Sequence, residues 1–107
     1  MSIKIPQAQF QIGQIVEHLK FGYRGVVFEV DPVYSLSEVW YTSTAKSRPP
    51  KNQPWYHVLV DGYDHSTYVA ERHLTASDDT DSINHPDLYV YFSDQVEGRY
   101  SPLHRMM

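Results

Sequence analysis

Residues 54–60 read Pro54-Trp55-Tyr56-His57-Val58-Leu59-Val60, and this stretch decides the fold. Aromatic and branched side chains fit a pleated, half-buried surface, so the run reads as a strand. A period of two puts Tyr56, Val58 and Val60 on one face and Trp55, His57 and Leu59 on the other. Both faces are largely apolar, which predicts an interior strand covered on both sides. Asp61-Gly62 follows at once and suits a turn, because glycine takes positive φ at little cost. A second run, Ser66–Glu71, alternates Tyr68 and Ala70 against Thr67 and Val69, so the two runs form a hairpin joined by Asp61–His65.

Working outward, Gly13 opens a strand over Gln14–Leu19, and Phe21-Gly22-Tyr23 turns into a second over Arg24–Val30. Alternation there puts Val26, Phe28 and Val30 on one face. Gly25 within a strand signals a bulge, a bend or close approach by another backbone. Asp31-Pro32 ends the strand, since proline cannot donate to the ladder. Ser35-Leu36-Ser37-Glu38 has the capping-box pattern and predicts a short helical turn. Val39–Gln53 shows no sustained period and contains Pro49-Pro50, so it is expected to be a mobile or functional connection. Downstream, Glu71–Leu74 closes as a short turn or a last strand, and Ser77–His85 reads as a polar linker. Pro86–Phe92, with Tyr89, Tyr91 and Phe92, is expected to dock on its own body or on a second copy, because exposed aromatics are unfavourable in water. The ends, residues 1–9 and Gly98–Met107, are expected to be a flexible lead-in and a frayed tail.

Short strands with tight turns and one long loop predict an all-β protein. The expected architecture is a small SH3-like β-barrel over residues 10–76 with an acidic, aromatic C-terminal extension over 77–107. Spacing leaves an OB-type barrel open. A chain of 107 residues fits one domain with one small core. Cysteine is absent, which excludes disulfides, thiolate zinc sites and thiol catalysis. No run approaches a membrane span and the first residues lack a signal-peptide core, so a soluble, cytoplasmic protein is expected. The net charge of −4 is uneven. Residues 1–76 hold seven basic and seven acidic side chains, whereas 77–107 hold six acids against Arg99 and Arg105.

The chemistry-bearing residues form no catalytic pattern. Six histidines stand without a His-x-His pair or an HExxH motif. Ser35 and Ser37 lack a G-x-S-x-G setting, and the glycines never cluster into a phosphate cradle. No enzyme, cofactor or metal site is therefore expected. Binding residues are better candidates. Lys20 and Arg24 flank the first turn and would form one basic patch with Lys46, Arg48 and Lys51 if the long loop folds over it. Tyr34, Trp55, His57 and Tyr68 are candidate anchors for a partner or for nucleobases, through contacts that need no net charge.

Five blocks then occur in order: Phe10-x-Ile12-Gly13-Gln14-x-Val16, Gly22-Tyr23-x-Gly25-Val26-Val27, Asp31–Glu38 (DPVYSLSE), Pro54–Val58 (PWYHV) and Thr67–Glu71 (TYVAE). This set resembles the YccV-like, or hemimethylated-DNA-binding, family over about residues 10–74. The resemblance implies an SH3-like barrel in the bacterial cytoplasm and a stress-linked, heat-shock role. It implies promotion of protein turnover by the ATP-dependent Lon protease, with Lon and its substrates as partners, and binding of hemimethylated DNA. A protein-interaction module ranks first, a DNA-binding module second and an enzyme last. A homo-oligomer is left open.

Overall fold

A computed structural model describes residues 7–103. The lead-in expected over residues 1–9 and the tail expected to the C-terminus lie partly outside them. The chain is mostly β. Strands β1 (Ile15–His18), β2 (Arg24–Asp31), β3 (Trp55–Val60), β4 (Ser66–Ala70) and β5 (Leu74–Ala76) pair antiparallel in the order β4-β3-β2-β1-β5. The hairpin legible in the sequence is β3–β4, with Leu59 opposite Ser66 and Trp55 opposite Ala70.

A single 3-10 turn, Glu71–His73, carries the chain from the β4 edge to the β5 edge. The edges of a flat sheet of this order lie about 19 Å apart, four spacings of roughly 4.8 Å. The few residues of that turn reach at most about 14 Å even when fully extended. The sheet is therefore strongly curled. Its inner face holds Val16, Val27, Tyr56, Val58, Val69 and Leu74, with Phe10 packed beside them.

The alternation expected along β2 fails at Phe28. Pairing with β3 shifts between Val27 and Glu29, an extra residue that reverses the faces beyond it. Val27 and Val30 consequently both pack with the inner cluster, while Val26 and Phe28 serve the opposite face. Glu29 and Asp31 are brought opposite His57 and Trp55. Gly25 marks a close approach instead. A Cβ there would lie 2.5 Å from Leu59 O and against Val58 Cγ1.

Helix α1 (Glu38–Thr44) occupies part of the stretch expected to lack regular structure. Its N-cap is Ser37, whose Oγ accepts the Trp40 N–H at 3.1 Å. Ser35, the cap suggested by the capping-box spacing, instead sends its Oγ–H to Val33 O and its N–H to Tyr68 Oη.

The C-terminal segment forms α2 (Leu88–Tyr91), β6 (Phe92–Val96) and β7 (Arg99–Pro102). Fraying from Gly98 was the expectation, and a β6–β7 hairpin stands there instead. Glu97 and Gly98 both take positive φ, 51° and 77°, as a two-residue hairpin loop requires. Docking of Pro86–Phe92 runs through Leu88 and Phe92, which join Ile83 and Tyr100 against Ile15, Val26 and Leu59. Tyr89 stays exposed. Tyr100 ties the assembly together, since its N–H donates to Gly13 O and its Oη accepts the Ile83 N–H, each at 2.9 Å.

Candidate functional site: an aromatic groove beside a free strand edge

Strand alternation and the Phe28 bulge point Trp55, His57, Tyr68, Glu29 and Asp31 to one side of the sheet. The loop after β2 adds Tyr34, and α1 adds Trp40 and Tyr41. The rings interlock. Trp55 stacks on Tyr68 with centroids 5.1 Å apart, and Tyr34 meets Trp55 edge-on at 5.0 Å. Trp40 stands edge-on to Tyr68 at 5.5 Å. Such pairs add roughly 0.5–1.5 kcal/mol each beyond the area they bury.

Among the described residues, no buried side-chain polar atom of this cluster lacks a partner. Trp55 Nε1–H donates to Pro50 O at 3.0 Å, and Tyr68 Oη–H donates to Asp31 Oδ2 at 2.7 Å. Burial, then the hydrogen bond to Asp31, raises the Tyr68 hydroxyl above its ordinary value, which keeps it a donor. His57 Nε2 lies 3.0 Å from Asp31 Oδ2 and 3.1 Å from Glu29 Oε2. These three side chains offer ligand atoms within 4.8 Å of one another, a set that fits a divalent ion in donor chemistry. The imidazole also suffices as the positive partner of both carboxylates when protonated.

Four of the candidate residues thus come together: Tyr34, Trp55, His57 and Tyr68. Trp55 is 1% exposed and backs the surface, while Tyr68 is half-buried and reaches it. Beyond Tyr68 runs an open groove of about 880 Å³ along β4. One bank is Leu36 and, after it, α1 with Trp40; the other is the β1–β2 turn with Lys20 and the exposed Phe21. Among the described residues, no carboxylate lines it. Ser47 Oγ reaches His73 Nε2 at 3.0 Å and closes one end. Beneath that end, His18 Nδ1 accepts the N–H groups of Lys20 and Phe21, both at 3.1 Å, and its ring stacks on His73. Sequence reasoning missed Trp40, Leu36 and Phe21 as groove residues. The exposed apolar Phe21 and Leu36 were a readable signal, but only the fold brings them to one strand edge.

Of the five basic residues expected to form one patch, Lys20 and Lys46 both line the groove, whereas Arg24, Arg48 and Lys51 are engaged by the protein itself. Arg24 is wrapped by the extension: its guanidinium pairs with Asp61 at 3.0 Å and Asp79 at 3.5 Å, and donates to the carbonyls of Asp79 and Asp81. Arg48 donates to the last carbonyls of α1, and Lys51 pairs with Glu38. Arg72 donates to Ser47 O and Arg99 to Gln11 Oε1. Among the described residues, the side chains of Lys20 and Lys46 are the basic ones with no hydrogen bond or ion pair, and both line the groove.

A family model described as "Hemimethylated DNA-binding protein YccV like" matches residues 8–99. That description names a binding activity and no catalytic one. The match takes in the groove, the wrapped Arg24 and most of the C-terminal hairpin, so the chain belongs to the YccV-like family.

Proposed function

We propose that this protein is a non-enzymatic protein-interaction module whose binding surface is the groove along β4. The observation that carries this reading is an aromatic, carboxylate-free groove on a chain of net charge −4. Exposed apolar side chains on one concavity mark a contact surface, and Phe21 and Leu36 supply them here. Tyr68 and Lys20 contact the partner, while Tyr34, Trp55 and His57 hold Tyr68 in place. Residues 10–76 act as an SH3-like barrel, a reading supported by β1 pairing with both β2 and β5. Residues 77–107 act as an extension whose described part, residues 77–103, covers the outer face of the sheet. The biological role is that of a cytoplasmic heat-shock factor that hands selected proteins to the Lon protease, on the strength of the family resemblance. The test is ATP-dependent degradation of heat-stress substrates by purified Lon, with the parent protein and with Phe21→Ser. The parent should accelerate turnover and the variant should not. Equal acceleration by both would remove the groove from the mechanism.

A second reading has one support, the family description, which names hemimethylated DNA. Strong salt-dependent binding needs about six to ten phosphate contacts, and Arg24, Arg48, Arg72 and Arg99 are held by the protein itself. Duplex binding should therefore be weak at about 150 mM salt. Sub-micromolar binding with a preference for the hemimethylated duplex would reverse the ranking.

A further inference from the structure

Strand β4 is an edge of the sheet, with β3 on one side and, among the described residues, no strand on the other. The phase of its ladder follows from the bonds at its two ends. Val60 N–H donates to His65 O, and Glu71 N–H donates to Pro54 O. Antiparallel pairs alternate between bonded and non-bonded. The pairs Tyr56–Val69 and Val58–Thr67 are therefore the bonded ones, and the N–H and C=O of Ser66 and Tyr68 point away from β3. Outside the ladder, no hydrogen bond to these four groups is present among the described residues. They face the groove, which both residues line.

The groove is also polarised. Its closed end lies where Ser47 meets His73, and Leu19 N–H donates to His73 O at 2.8 Å. Lys20 and Lys46, the chain neighbours of Leu19 and Ser47, therefore stand at that end. From there the floor runs along Tyr68 between Trp40 and Phe21. Unpaired backbone groups on an edge strand are a template for a further strand. Successive side chains of such a strand alternate between the two banks, and each bank offers an apolar side chain, Trp40 or Phe21, and toward the closed end a lysine, Lys46 or Lys20.

We infer that β4 accepts an extended peptide segment as an additional strand, and that this segment combines apolar with acidic side chains. The inference rests on the protein-binding reading of the groove and deepens it. The occupant is an unfolded or terminal stretch of a client protein, read by its backbone and by its carboxylates.

The test uses a synthetic eight-residue peptide of alternating valine and glutamate, acetylated and amidated so that only side chains carry charge. Binding to the full chain is measured by fluorescence anisotropy. Two N-methylated versions block alternate sets of amides. One set should abolish binding and the other should leave it within about twofold, because only alternate amides of a strand face its neighbour. A lysine-for-glutamate peptide should bind at least tenfold more weakly. Ser66→Pro removes one outward N–H at the first residue of an edge strand, where proline is tolerated. It should weaken binding about five- to tenfold, one hydrogen bond's worth, with an unchanged circular dichroism spectrum.

Equal effects of the two methylation patterns would overturn strand addition, as would full affinity for the lysine peptide overturn the acidic assignment. A dimer abolished by Ser66→Pro, with no peptide bound, would make a second copy the occupant and also overturn it. If no peptide binds but Phe21→Ser still blocks Lon-dependent turnover, this inference fails and the proposed function stands. If Phe21→Ser is silent as well, both fail.

Discussion

Gly25 shows how one missing side chain holds two strands together. Its Cα faces Val58 and Leu59 so closely that any Cβ would overlap Leu59 O. Gly25→Ala should cost about 1–3 kcal/mol, as overpacking does, and lower the melting temperature by roughly 4–8 °C per kcal/mol. A thermal melt checks this, and an unchanged melting temperature would refute the close approach. A second residue-scale prediction concerns His18. Burial, then His73 and Lys20, holds its imidazole below the ordinary value. Burial, then Arg72 and Lys20, does the same to His73. A base depressed in the folded state binds fewer protons there than in the unfolded chain. Stability is therefore full above about 6.5, the unfolded value, and declines as pH falls through the window below it. His18→Asn keeps an acceptor for the Lys20 and Phe21 amides and removes one titration. The fall in urea midpoint from about pH 7 to about pH 5 should become shallower. An identical slope would place the acid sensitivity elsewhere.

Among the elements, α1 is the one whose stability is borrowed. It has seven residues, none of them fully buried. Isolated helices shorter than about 12 residues are marginal in water. What holds it is the Ser37 cap, the half-buried Trp40 and Tyr41 against Trp55, and Arg48 on its last carbonyls. Ser37→Ala should cost about 1 kcal/mol and speed amide exchange in Glu38–Thr44 without speeding it in β3. Uniform acceleration across both would show that α1 opens only with the whole molecule. This element also shows where the sequence was legible. The β3–β4 hairpin could be read because propensity, alternation and turn chemistry all agree within Pro54–Glu71. The helix could be read only at its start, since its aromatic stripe packs on residues distant in sequence. The Phe28 bulge had no local mark, because a bulge is a property of pairing. The meeting of Glu29, Asp31 and His57 depends on that bulge and was therefore hidden. The β6–β7 hairpin had a readable turn in Glu97-Gly98, but the polar Ser93-Asp94-Gln95 masked the strand before it.

At the scale of the whole molecule, the question is whether the C-terminal segment is an appendage or part of the core. Ile15, Val26 and Leu59 project from the curled sheet on the face away from Tyr56, and their cover is Ile83, Leu88, Phe92 and Tyr100. Phe92 is 1% exposed, as buried as Trp55. Polar ties run the same way: Arg24 holds the 79–82 backbone, Asp61 Oδ1 accepts the Asn84 N–H at 2.7 Å, and Tyr100 reaches Gly13. A tail that only aided solubility would need none of this. Phe92→Ala should therefore cost about 3–5 kcal/mol, the amount expected of a large core aromatic. Such a loss is a large share of the 5–15 kcal/mol that typically holds a domain together. The unfolding transition should stay single and move as a whole, with circular dichroism and tryptophan fluorescence coincident. Fluorescence matters here because Trp40 and Trp55 both lie in the aromatic cluster, away from Phe92. If the extension were separable, the fluorescence midpoint would stay put while the hairpin melted early. That split would return residues 77–103 to the status of an appendage. A common shift would make the acidic segment a structural part of the body that presents the groove.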